Sequence, residues 1–97
     1  MSLPVTLSES ALQDLQNIQQ YYLNQGSTKT AEQLLEKIFA KLELLADYPE
    51  MGRIVPEFNM NTLRELIHSP YRIIYRCESQ HIKIIRIWRG ERLLRLL

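Results

Sequence analysis

Cysteine, glycine and long apolar runs are scarce in this chain, and each scarcity excludes something. A single cysteine, Cys77, cannot close an internal disulfide, so a reducing compartment suits the protein. No segment approaches the roughly 18 apolar residues of a membrane span. Met1-Ser2-Leu3-Pro4-Val5-Thr6 has no basic stretch ahead of an apolar one, so no signal peptide is expected. The expected location is cytoplasmic, with no membrane partner. Three glycines and four prolines in 97 residues leave no linker or low-complexity tract, and no repeat is present. One domain over residues 1–97 is therefore expected, burying about two thirds of its unfolded surface. A glycine-rich phosphate loop, metal-ligand spacing and a nucleophile constellation are also lacking, so no cofactor or metal is expected.

Charge of one sign is lacking overall, with a net charge of +1, but the two halves differ. Residues 1–48 hold three lysines against six acids. Residues 49–97 hold nine basic residues against five acids, and eight of the nine are arginine. Arginine offers a planar fork for carboxylates and phosphates that lysine does not. A basic C-terminal half suits an anionic partner, a nucleic acid or an acidic protein segment, and suits a solvated sheet face equally well.

What is present divides into two patterns. Leu3, Val5 and Leu7 alternate with Pro4 and Thr6, the mark of a short strand entering at an edge. Ser8 stands at an N-cap with Glu9 in the first turn. Ala11, Leu12, Leu15, Ile18 and Tyr22 then form a helical stripe, which Asn24-Gln25-Gly26-Ser27 breaks. A second helix starts near Ser27 or Thr28 with the stripe Ala31, Leu34, Leu35, Ile38, Leu42 and Leu45. Tyr48-Pro49 ends it, because the residue before proline is pushed out of helical geometry. Two stripes and a short loop predict an antiparallel helical hairpin.

Beyond Pro49 the pattern turns extended. Met51-Gly52-Arg53 reads as a turn and Leu63 to His68 as a strand. Tyr71 to Cys77 and His81 to Arg89 read as a β-hairpin across Glu78-Ser79-Gln80. On the last strand, Ile82, Ile84 and Trp88 lie opposite Ile85 and Ile87, so both faces are partly apolar and need two covers, the helical hairpin for one and a partner outside the chain for the other. The expected order is β-α-α-β-β-β: an α+β fold with an N-terminal strand and a helical hairpin on one face of a small, mainly antiparallel sheet.

These residues resemble the ParE toxins of type II toxin–antitoxin systems, within the ParE/RelE superfamily. The matching pieces are Ala11-x-x-Asp14-Leu15-x-x-Ile18-x-x-Tyr21-Tyr22, then Ala31, Ile38, Leu42 and Leu45. They continue with Pro49-x-x-Gly52-Arg53-x-x-Pro56, Arg64-Glu65, Tyr71-Arg72-Ile73-x-Tyr75 and Ile85-x-Ile87-Trp88-Arg89-Gly90-Glu91-Arg92. The resemblance implies a toxin that inhibits DNA gyrase by binding. It also implies neutralisation by a cognate ParD-like antitoxin, as a hetero-oligomer in which a segment disordered when free wraps the toxin. Target or antitoxin contacts are then expected from Arg53, Arg64, Arg72, Arg76, Arg86, Arg89, Arg92 and Arg95.

The rival in the same superfamily is RelE-like, ribosome-dependent mRNA cleavage, which needs a general base, a general acid and cations around a crowded phosphate. Cations are plentiful, acid–base groups are not. Arg89 stands where many relatives carry histidine, and a guanidinium stays protonated near neutrality. Glu91, Arg89 and His81 are the weak catalytic candidates of that reading. His68 and His81 read more simply as surface residues at strand ends, and Glu91 as an ordinary partner of Arg89 or Arg92. An inactive relative kept as an interaction module is the third alternative. Arg53 is expected to pair with Glu50 or Glu57, Tyr71 and Tyr75 to pack under the helices, and Trp88 to be core.

Overall fold

The computed structural model describes residues 2–90. In chain order they form β1 (Val5–Leu7), α1 (Glu9–Asn24), α2 (Thr28–Asp47), β2 (Arg53–Ile54), β3 (Leu63–His68), β4 (Tyr71–Cys77) and β5 (Ile82–Arg89). The strands make one sheet in the order β1-β5-β4-β3-β2. Neighbours from β2 to β5 are antiparallel, and β1 lies parallel to β5 at the edge. The α+β architecture is the expected one.

Local signals account for the helices. Ser8 is extended, and its Oγ accepts from the Ala11 N–H at 2.9 Å, capping α1. The same hydroxyl donates to the Ile85 carbonyl at 2.8 Å, which ties the helix start to β5. Gly26, at φ +73°, supplies the left-handed step after α1. Ala11, Leu15 and Ile18 of α1 and Ile38, Leu42 and Leu45 of α2 pack with Tyr71, Ile73, Tyr75, Ile82, Ile84 and Ile87 of the sheet. Leu12, expected in the stripe, instead lies on its flank and is about half exposed. No helix among the described residues is long and apolar enough to cross a membrane.

Two features of the sheet differ from expectation. Arg53, read as the end of a turn, joins Ile54 in the short edge strand β2, with Arg53 opposite Glu65 and Ile54 opposite Arg64. Two residues are too few to show a period in sequence. The second difference is a bulge in β5: Ile74 pairs with Arg86 and Tyr75 with Ile84, leaving Ile85 unmatched. One extra residue reverses the alternation of side chains. Ile82, Ile84 and Ile87 are therefore all buried against the helices, and Trp88 turns to the far face, half-buried. That far face is not bare. Ile74, Glu65 and Arg72 are buried there, and Glu57 from the β2–β3 connection reaches across to Arg72.

Candidate functional site

Most of the arginines sit on or beside the sheet, so their geometry follows from strand register. Glu65 lies at the centre of the far face with its side chain fully buried. Arg53, directly opposite on β2, donates Nε to Glu65 Oε2 at 2.5 Å. Arg72, diagonally placed on β4, donates Nε to Glu65 Oε1 at 2.6 Å. Arg72 also forks onto Glu57, with Nη1 to Oε2 and Nη2 to Oε1 both at 2.9 Å. The result is a chain of charge, Arg53–Glu65–Arg72–Glu57, in which bidentate geometry locks the β2–β3 connection onto the sheet. The hydrogen bonds that Arg72 donates to Glu57, and secondarily to Glu65, raise its pKa against the opposing effect of burial. This network borders an open cleft of about 720 Å³, walled also by Pro56, Ile67 and Pro70.

A second carboxylate works at the sheet edge. Among the described residues β5 has no neighbouring strand beyond the end of β1, and Asp14 of α1 takes that place. Its Oδ2 accepts from the Ile87 backbone N–H at 2.9 Å and from Arg86 Nε at 2.8 Å, while Oδ1 accepts from Arg86 Nη2 at 2.9 Å. The bonds that Arg86 donates to Asp14 raise the Arg86 pKa. The Arg86 guanidinium also lies 4.6 Å from the centre of the Trp88 ring, a cation–π contact. Trp88 is thus a half-buried partner of arginine and not a member of the core.

Gly52 explains the middle of the Pro49-x-x-Gly52-Arg53 motif. A Cβ there would stand 2.6 Å from the Glu65 carbonyl oxygen and 2.6 Å from the Tyr75 hydroxyl oxygen. Without one, the Gly52 N–H donates to the Tyr75 hydroxyl at 2.9 Å, which in turn donates to the Pro49 carbonyl at 2.8 Å. Arg64 Nη1 donates to the Gly52 carbonyl at 2.9 Å, and its other amino group lies 3.8 Å from Glu50. Glu50 therefore faces Arg64, whereas Arg53, expected to take Glu50 or Glu57, takes Glu65.

At the far end of the sheet, Tyr71 is buried, 3.4 Å from the Tyr22 hydroxyl, with the Arg89 guanidinium 5.8 Å from its ring centre. Burial, reinforced by Tyr22 and opposed by Arg89, pushes the Tyr71 pKa up to about 12. The Gly90 N–H donates to the Pro70 carbonyl, closing this end beside the cis Ser69-Pro70 peptide. Burial and the neighbouring Lys41 and Lys37 lower the His68 pKa. His81, at the opposite end of the sheet, lies 3.1 Å from Glu78. Burial raises the Cys77 pKa, and its thiol faces the Pro49 carbonyl.

The arginines named from sequence thus separate. Arg53, Arg64, Arg72 and Arg86 are engaged in internal bonds, Arg89 lies against Tyr71, and Arg76 is exposed on β4. Glu91, Arg92 and Arg95 lie outside the described residues. Sequence reasoning quoted Asp14 and Glu65 without a role for either. The available signal was a carboxylate inside an apolar stripe, Ala11, Asp14, Leu15 and Ile18, and another inside a short strand pattern between Leu63 and Leu66-Ile67. Among the described residues no three His, Cys, Asp or Glu side chains gather as metal ligands would.

A two-helix hairpin on a five-stranded sheet is the fold of a solved toxin–antitoxin structure, the chromosomal ParDE system of P. aeruginosa. The TM-score is 0.75 at 21% identity, covering 91% of this chain and 96% of that one. The family model for the ParE toxin of type II toxin–antitoxin systems, parDE, matches residues 5–94, and the chain belongs to that family. No curated protein sequence matches it.

Proposed function

We propose that this chain is a toxin that inhibits DNA gyrase in the cytoplasm by binding, and that a ParD-like antitoxin neutralises it. Family membership supports the toxin role. The observation favouring binding over cleavage is Arg89, which presents a guanidinium against Tyr71 at the end of the last strand. Such a group stays protonated near neutrality and is a poor proton acceptor. Around it the ion-paired arginines hold the sheet in one geometry, a preformed surface for a protein target.

The test places purified protein in a gyrase supercoiling reaction and, separately, in a translation reaction read for mRNA cleavage. Inhibited supercoiling with intact translation is the expected result, and H68Q and H81Q should leave the inhibition unchanged. Cleaved mRNA with unaffected supercoiling would move the chain to the ribonuclease branch. Loss of toxicity in well-folded H68Q or H81Q would refute a mechanism without proton transfer.

A further inference from the structure

Arg76 and Lys83 stand directly opposite each other in the β4–β5 ladder, on the sheet face turned away from the helices. Both are exposed. Neither side chain hydrogen-bonds or ion-pairs with any described residue. Their flanking positions in the same row are Thr6 on β1 and Leu63 on β3, neither of them acidic. Glu78, close to Arg76 in the chain, is held by His81. Like charges directly opposite on a sheet destabilise it, so this pair lowers the stability of the isolated chain. Every other ladder arginine with a resolved partner is matched by a carboxylate, a carbonyl or a ring.

Three kinds of occupant would supply or oppose charge here. A second copy of the chain would set two cations against two cations. A nucleic acid suits a domain of strongly basic character, pI above about 9, whereas this chain has pI ≈ 7.9. Base stacking also needs an open ring, and Arg86 already lies against Trp88. An acidic polypeptide needs only two carboxylates at the spacing of adjacent strands, which an extended or helical segment supplies.

We infer that Arg76 and Lys83 form a docking point for an acidic segment of the neutralising antitoxin. The inference rests on the antitoxin reading above. It explains why a pair unmatched among the described residues stands where a single acidic substitution would stabilise the fold: the missing charge arrives with the partner.

The test uses the cognate ParD-like antitoxin, with a polyglutamate peptide and a single-stranded DNA oligonucleotide as comparison ligands. R76E sets a carboxylate opposite Lys83, so it should raise the melting temperature while weakening antitoxin binding. Loss of one attraction and gain of one repulsion weaken it roughly tenfold at low salt. The loss should shrink as salt screens the site. K83E makes the mirror-image change and guards against one variant failing to fold, and R76K should bind nearly as the wild type does. If the wild type binds the antitoxin and both reversals bind equally well with the same salt dependence, the docking point is wrong and the antitoxin reading stands. No binding by the wild type overturns that reading and the docking point with it. DNA binding tighter than polyglutamate binding, lost in R76E, would assign the pair to nucleic acid instead.

Discussion

Replacing Glu65 with glutamine removes one charge and almost no volume, which isolates the electrostatic role of the buried network. In the folded protein the Glu65 side chain is fully buried, and the Arg72 side chain beside it is 6% exposed. Removing one member of a buried pair costs about 3–5 kcal/mol, because the remaining charge is left uncompensated. Arg72 keeps its fork onto Glu57, so the lower end applies, about 3 kcal/mol. The Arg53 bond adds little, since that side chain is 61% exposed; solvent-screened pairs contribute about 0–1 kcal/mol. For a domain of this size, 3 kcal/mol lowers the melting temperature on the order of 10–20 °C. Urea unfolding of wild type, Glu65→Gln and Arg53→Ala gives the comparison, with unchanged m-values certifying the same unfolding reaction. A loss below about 1 kcal/mol for Glu65→Gln, or equal losses for the two variants, would show that the network is solvated and refute the reasoning.

Two further perturbations follow from the same geometry. Gly52→Ala forces a methyl group against the Glu65 carbonyl and the Tyr75 hydroxyl. Overpacking and a lost buried hydrogen bond together should cost about 2–4 kcal/mol, read by thermal unfolding. Tyr71 gives an alkaline limb: its folded pKa is about 12 against an ordinary 10.0. The unfolded chain therefore loses this proton first, so stability should fall as pH rises from 10 and level off above 12, by at most about 3 kcal/mol. Tyr71→Phe should flatten that limb in a pH series of urea midpoints, and an unchanged limb would remove Tyr71 as its source.

The helical hairpin was legible in the chain because its causes are local. Ser8 caps, Gly26 takes a positive φ, Pro49 follows the last helical turn, and stripes at three- and four-residue steps show which sides are buried. The hairpin from Tyr71 to Arg89 was legible for the same reason, since β-branched runs and a polar turn lie within one short window. Tertiary structure alone decided the bulge at Ile85, which no composition marks and which moved Ile87 into the core and Trp88 out of it. It also chose the partners of charge. Arg53 had two acids near it in sequence and took a third, because β2 pairing with β3 sets Glu65 directly across. Asp14 and Arg86 are far apart in sequence and meet only because α1 covers the open edge of β5. Residue type determines which groups need a partner, and chain topology determines which partner is within reach.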